Sequence, residues 1–441
     1  MNIRFYNARI LSMKNNSPII EGELWVRDNK IIYIGDGSDF DSVYEINSMN
    51  AIAWEREIDC EGNILMPGFK NAHAHSGMTA FRSLADDLNL QDWLNTMIFP
   101  REAKMTGEDC YVLTKLANLE YLTSGITSIA DMYLTPETIA DACSEMGMRC
   151  VLVSGLNKFG PAISVMEERY QKLNNKNELI SYKMGVHAEY TCSKELLQEV
   201  SNLIHKYRAP LFVHMSETKT EVDECMNRYG MTPPALFEEL GLFDFGGSIY
   251  HGVHVTDNDM EILKKHSISV VTNPASNAKL ASGIAPIQSY LNKEIPVSIG
   301  TDGPSSNNCL DMFREMFLVT ALSKLKENDP KAVDAMEVLR MATVNGAISM
   351  GLVDADILEA GKLADIIMID LKQPNMQPIN NITKNIVYSG SKSNVKMTMI
   401  NGKILFEDGV FHIGEDETSI YQKANDIIGR IREELNDGNC I

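Results

Sequence analysis

The chain is 441 residues long and 44% hydrophobic, enough to bury at least one large core, and its formal net charge is −20 with a sequence pI near 4.9. That balance argues against a nucleic-acid partner, whose phosphates need clustered Lys and Arg, and the acidic surface is read as serving solubility. Eight cysteines (Cys60, Cys110, Cys143, Cys150, Cys192, Cys225, Cys309 and Cys440) form no C-x-x-C pair and no cluster, so they are read as reduced, mostly buried thiols rather than a disulfide framework or a zinc-thiolate site.

In chain order, Met1–Tyr6 has no basic stretch leading into an apolar one, which predicts no signal peptide. No apolar run reaches the roughly 18 residues of a membrane span, so a soluble, cytoplasmic protein is expected. Short β-type runs come first: Ile3–Tyr6, Glu23–Val26 and Ile31–Ile34, the last flanked by Asp28-Asn29 and Gly35-Asp36-Gly37 turn signals. The pattern then changes to short apolar runs alternating with helix-length amphipathic segments, as in repeated βα units around a parallel sheet. The predicted strands are Ile64–Met66, Ile126–Ile129, Cys150–Val153, Tyr182–His187, Leu211–His214, Gly247–His251, Ser269–Asn273 and Val297–Thr301. Eight is the count of a (β/α)8 TIM barrel. Between them, Glu108–Leu122 and Asp257–Lys265 read as helices, the second opening on Asp257 as its cap and burying Met260 and Leu263. β-type runs return at Asp365–Asp370, Val395–Ile400 and Gly402–Phe406, and Tyr421–Leu435 has the spacing of an amphipathic packing helix. The expected class is α/β: a barrel over 59–360, with 1–58 and 361–441 forming a small β-sandwich domain from both chain ends.

Six of nine histidines fall at or just after predicted strand C-termini: His73, His75, His187, His214, His251 and His254. Active sites of TIM barrels sit at that end. In the run Met66-Pro-Gly-Phe-Lys-Asn-Ala-His73-Ala-His75, the two imidazoles are two residues apart on an extended chain and point to one side. His214 follows Leu211-Phe212-Val213, and Asp302 follows the last strand. Three neutral imidazoles and one carboxylate suit Zn²⁺ or a similar divalent ion with a position left for water, whose pKa falls toward about 7 on such an ion. Glu217, three residues after His214, is sited as a general acid/base; the alternative is a solvated Glu that the helix dipole favours.

The combination Pro67-Gly68-Phe69…His73-Ala74-His75, His214-x-x-Glu217, His251 and Thr301-Asp302-Gly303 resembles the amidohydrolase superfamily. Trp93-Leu94…Pro100-Arg101-Glu102, Gly185-Val-His187-Ala-Glu-Tyr-Thr191, Asn273-Pro-Ala-Ser-Asn277-x-Lys-Leu, Asp302-Gly-x-x-Ser306-Asn307-Asn308 and Gly361-Lys-Leu-Ala-Asp365 extend the likeness over nearly the whole chain. Within the superfamily it is similar to aminohydrolases of the S-adenosylhomocysteine and 5′-methylthioadenosine deaminase type. The resemblance implies that His73, His75, His214 and Asp302 bind one divalent metal: Zn²⁺, with Fe²⁺ and Mn²⁺ sharing the ligand set. His187 stands where two-metal relatives carry a bridging carboxylated Lys. It also implies that His251 and Asp302 orient and deprotonate the water, and that Glu217 protonates the ring nitrogen. Glu102 would bind the ribose hydroxyls, His187 the sugar or base, and Trp93 would line the apolar side. The implied reaction is hydrolytic deamination of a purine nucleoside, a small-molecule substrate; a homo-oligomer agrees with the resemblance, but no motif calls for one.

One feature departs from that type. Relatives taking S-adenosylhomocysteine present an Arg after the third strand for the amino-acid carboxylate, whereas Val153-Ser154-Gly155-Leu156 has none and Lys158 is the nearby cation. 5′-Methylthioadenosine, S-adenosylhomocysteine, 5′-deoxyadenosine and adenosine stay open as substrates. The weighed alternatives are deamination of guanine, a pterin or cytosine, a triazine-type chlorohydrolase, and a non-catalytic metal-bound binding protein. The pocket loops are expected at Thr79–Pro100 and Asn157–Ile163.

Overall fold

A computed structural model describes residues 1–15, 17–37, 53–84, 86–88 and 90–435; Cys440 lies outside them, as do two positions of the Thr79–Pro100 segment. Nine strands drawn from both chain ends make one mixed sheet. They are β1 (Asn2–Ile10), β2 (Ile20–Arg27), β3 (Lys30–Gly35), β4 (Arg56–Asp59) and β5 (Ile64–Pro67) from the first part of the chain. β14 (Ile366–Ile369), β15 (Val395–Ile400), β16 (Lys403–Glu407) and β17 (Val410–Phe411) come from the last. Their order is β17-β16-β15-β14-β5-β1-β2-β3, with β4 parallel to β1. Alternating inward residues of distant strands, Ile31 of β3 and Met397 and Met399 of β15 among them, share one apolar core, so the sheet curls over itself.

The second sheet is the barrel. β6 (Phe69–Ala74), β7 (Ile126–Asp131), β8 (Arg149–Val153), β9 (Ile180–Ala188), β10 (Leu211–Met215), β11 (Gly247–His251), β12 (Ile268–Thr272) and β13 (Val297–Ile299) pair in sequence order, all parallel. The seam between β13 and β6 is closed by polar groups. Asn71 exchanges two hydrogen bonds with Thr301 (2.7 and 2.9 Å), and Asp302 N donates to His73 O at 3.0 Å.

The first barrel strand is a correction. Ile64–Met66, expected there, pairs instead with β1 and β14 in the other sheet, and Phe69–Ala74 enters the barrel. The crossing falls at Gly68, where a Cβ would lie 2.0 Å from the Thr127 side chain. Lys70 and Asn71 make the true strand look polar, yet both are fully buried and satisfied internally, Lys70 Nζ donating to Thr127 Oγ1 at 2.8 Å. A smaller correction concerns the helix Asp257–Lys265. Its cap is Thr256, which forms a reciprocal capping box with Asp259.

Helix Glu417–Leu435 buries Ile431 in a cluster with Phe81, Trp93, Leu94 and Ile98. Residues 90–102, expected as part of a loop, form a short helical stretch centred on Trp93–Ile98. This helical cover lies over the C-terminal mouth of the barrel and carries Trp93 and Glu102 to the cavity beneath. No helix among the described residues is long and apolar enough to cross a membrane.

Candidate active site

Four strand ends deliver the convergent groups. His73 lies on β6 with His75 just beyond it, His214 is on β10, His251 ends β11, and Asp302 lies three residues past β13. His251 and Asp302 both take left-handed backbone (φ 72° and 60°), a conformation non-glycine residues rarely adopt outside over-determined sites. Gly300 lets the last strand pass His73: a Cβ there would lie 2.7 Å from His73 Cβ and 2.5 Å from Asn273 Oδ1.

One donor atom from each of His73, His214, His251 and Asp302 lies within 4.8 Å of the others, and all four residues are buried. His73 Nε2 and His75 Nε2 approach Asp302 Oδ1 at 3.3 and 3.1 Å, and His214 Nε2 lies 3.1 Å from His73 Nε2. The far ring nitrogens of three imidazoles are held from behind. His214 Nδ1 donates to His187 O at 2.7 Å, His75 Nδ1 to Met132 O, and His251 Nδ1 to Asn277 Oδ1 at 2.7 Å. These partners fix the tautomers and turn the Nε2 lone pairs inward toward a carboxylate. Lone pairs and an anion converging in a buried pocket fit a divalent cation with nitrogen and oxygen ligands.

The electrostatics of His73 and His214 agree with such a centre, whereas His75, which burial lowers, is raised on balance by the Asp302 carboxylate. Burial lowers His73 to about 3 and pushes His214 well below its ordinary value, so both are neutral, as ligands must be. Burial works against Asp302 ionising, but the adjoining His73 and His75 imidazoles hold its carboxyl well below the usual range. Ser276 Oγ (2.6 Å) and Ser306 Oγ (3.0 Å) donate to its other oxygen, Oδ2.

Glu217 lies beside the cluster, buried, with Oε2 3.8 Å from His251 Nε2 and Oε1 accepting from Ser282 Oγ at 3.0 Å. Burial raises its pKa, with the nearby His251 working the other way. Burial thus favours the protonated carboxyl, the form that can give a proton to a substrate nitrogen. Its position is held by Glu221, whose two oxygens accept from Ser216 N (2.7 Å) and Glu217 N (2.8 Å) across the left-handed Ser216 (φ 54°).

A cavity of about 920 Å³ opens above these groups, bounded by His75, His187, His214, Glu217, His251 and Asp302 at its floor. Trp93 and Glu102 reach it from the helical cover. Trp93 is buried with its indole Nε1 lacking a partner among the described residues. Glu102 is partly buried; desolvation raises its pKa, and a hydrogen bond with the Tyr133 side chain opposes this. His187 also lines the cavity, neutral because burial lowers it to about 4. His254 does not join the group: its Nε2 is 2.7 Å from Ser282 O.

All the expected site residues therefore meet in one place. The four-donor grouping contains His251 where the family pattern has His75, although His75 approaches Asp302 as closely as His73 does. Residues the sequence reading passed over are Tyr133, Ser282 and Glu221, and Ser276, Asn277 and Ser306 entered it only within motifs, without a role; all six hold the others in place. Arg169 was missed too: it is the one Arg or Lys among the described residues that line the cavity. Lys158 is not among those lining residues; its ammonium lies 5.1 Å from the Phe159 ring centroid.

A parallel barrel with His and Asp donors at its strand ends and a sheet from both chain ends defines a metal-dependent hydrolase architecture. The amidohydrolase family model matches residues 64–405, and the chain belongs to that family. It is 38% identical to a 5-methylthioadenosine/S-adenosylhomocysteine deaminase of Thermoanaerobacter pseudethanolicus, over 98% of this chain and 100% of the relative. A 5′-deoxyadenosine deaminase of Methanobrevibacter smithii is also 38% identical, over 94% of each chain. Among solved structures, an adenosine deaminase from Xanthomonas campestris with bound zinc superposes with a TM-score of 0.91 at 29% identity, covering 98% of both chains.

Proposed function

We propose that this amidohydrolase removes ammonia hydrolytically from an adenine nucleoside: 5′-methylthioadenosine, S-adenosylhomocysteine, 5′-deoxyadenosine or adenosine. The observation that carries the reading is the buried pair Glu217–His251, 3.8 Å apart at the edge of the His–Asp cluster and facing a large cavity. A binding protein has no use for an acid beside a base. The names of the relatives above support the adenine nucleoside over guanine, pterin, cytosine or triazine substrates.

In this reading His73, His75, His214 and Asp302 would hold one divalent ion, and the bound zinc of the Xanthomonas relative favours Zn²⁺ over Fe²⁺ or Mn²⁺. Such an ion supplies Lewis-acid activation of water at neutral pH. His251, its Nδ1 proton committed to Asn277, offers Nε2 to take a proton from the attacking water, and Asp302 orients that water. Glu217 delivers its proton to the ring nitrogen beside the attacked carbon, so that the developing negative charge is neutralised there. The proton held by His251 passes to the amino group, ammonia leaves as the C–N bond breaks, and the hydroxyl proton returns to Glu217 as the C=O forms. Glu102, with Tyr133 steadying its carboxylate, is positioned to accept hydrogen bonds from ribose hydroxyls; His187 contacts the sugar or base, and Trp93 forms the apolar wall.

The test is ammonia release from a panel of adenosines, guanine, pterins, cytosine and a chlorotriazine by the metal-loaded enzyme. Turnover of at least one adenine nucleoside ahead of every other compound is expected. Turnover confined to the free bases or the triazine overturns the reading.

A further inference from the structure

The described wall of the cavity carries one cation besides its histidines, and that cation already has a partner. Arg169 stands on helix Ile163–Leu173, one turn beyond Met166, so the two side chains share a face and both line the cavity. Around them the lining is mostly apolar, with Val153 from β8, then Leu156, Phe159 and Pro161 from the segment that follows, interrupted by Ser154 and Asn157. The catalytic cluster is nearly closed to solvent, but this end is open. Arg169 is 22% exposed and Phe159 83%.

One edge of the Arg169 guanidinium is already engaged. Its Nε and Nη2 donate to the two oxygens of Glu137 at 2.6 and 3.1 Å, a bidentate fork. Glu137 lies in the first turn of helix Pro136–Met146, directly after Thr135 and Pro136, which themselves line the cavity. The edge that best recognises a carboxylate is therefore filled by a carboxylate of the chain itself.

We propose that Glu137 sets the selectivity of this enzyme for the substituent at the far end of its substrate, by occupying Arg169 so that uncharged, apolar tails are preferred over tails ending in a carboxylate. The inference rests on the nucleoside reading above and deepens it. An incoming carboxylate must either displace Glu137, exchanging one ion pair for an equivalent one, or lie beside it and meet like charge. A thioether or methyl tail meets neither cost and buries against Met166, Val153 and Pro161. Glu137 itself forms no part of the reacting centre: it acts through Arg169.

The experiment compares kcat/KM for 5′-methylthioadenosine with kcat/KM for S-adenosylhomocysteine, whose tail ends in an amino-acid carboxylate, and takes their ratio. The parent enzyme is measured with Glu137→Gln and with the double variant Glu137→Gln/Arg169→Gln. In Glu137→Gln, which keeps the side-chain shape, the ratio is expected to shift about fivefold toward S-adenosylhomocysteine, the scale of a partly exposed ion pair. In the double variant the shift is expected to vanish. A ratio unmoved in Glu137→Gln, or moved equally in both variants, overturns the inference while the nucleoside reading stands. Absence of ammonia from both nucleosides in the parent enzyme overturns this inference; absence from 5′-deoxyadenosine and adenosine as well overturns the nucleoside reading.

Discussion

Replacing Glu221 by alanine tests how the proposed acid is held in place. The Glu221 carboxylate receives the backbone N–H groups of Ser216 and Glu217 at 2.7 and 2.8 Å, and Ser216, fully buried, sits in left-handed backbone between His214 and Glu217. Its removal leaves two buried donors without an acceptor, each costing about 1–3 kcal/mol. Part of that is offset, because desolvation of the carboxylate is itself unfavourable and lifts Glu221 to about 7. A net loss of about 2 kcal/mol of stability is expected. The larger effect falls on catalysis. Released from the clamp, the strained turn relaxes and Glu217 moves relative to His251, and a displacement near 1 Å at a reacting group costs on the order of 100-fold. The assay is steady-state ammonia release with bound-metal content and thermal melting measured on the same sample. For Glu221→Ala, kcat should fall about 100-fold with KM and metal content little changed; Glu221→Gln, keeping one acceptor oxygen, should fall between. A variant that melts earlier yet keeps kcat within about threefold of the parent would show that Glu221 serves the fold alone.

Other perturbations address separate parts of the site. His73→Ala should lose most bound metal, measured by elemental analysis after gel filtration, because a ligand at the centre of the cluster is gone; retention at parent stoichiometry removes His73 from the ligand set. Glu102→Ala should raise KM for nucleosides about tenfold through lost hydrogen bonds to the ribose, and an unchanged KM refutes the ribose assignment. Stability of the metal-free protein should fall with rising pH on account of Glu315. Burial pushes that carboxyl from 4.5 up to about 8 although Ala275 N and Asn307 Nδ2 donate to it. The folded state binds the proton more tightly than the unfolded chain, so the contribution is complete below about pH 4.5 and lost as pH climbs through about 8. Glu315→Gln should narrow the difference in melting temperature between about pH 5 and about pH 9; an equal difference in both proteins refutes it.

His214, His251 and Asp302 were readable because each follows an apolar run short enough to be a buried strand, and a parallel barrel gathers such ends into one rim. His214 after Leu211-Phe212-Val213 is the plainest case. Where polar residues are buried and satisfied by distant partners, the pattern fails. Lys70 and Asn71 disguised the first barrel strand, since nothing local announces Thr127 and Thr301 as their partners. Of the groups that orient the site, Ser276 meets Asp302 only when two βα loops converge. Ser306 and Glu221 bond within their own loops, four or five residues away, through a turn geometry that residue type alone does not announce. Arg169 is the furthest case. Nothing near it in the chain marks it as other than an ordinary exposed helix arginine, and its fork partner Glu137 lies on the preceding βα unit. The motifs that name the chemistry lie where reacting atoms must be held within fractions of an ångström. Discrimination among substrate tails needs only that one charge be available or already taken, and many residues at the cavity mouth can supply it. Selectivity at that end is therefore free to vary among chains that keep the same reacting centre, and it has to be read from side-chain pairs in three dimensions.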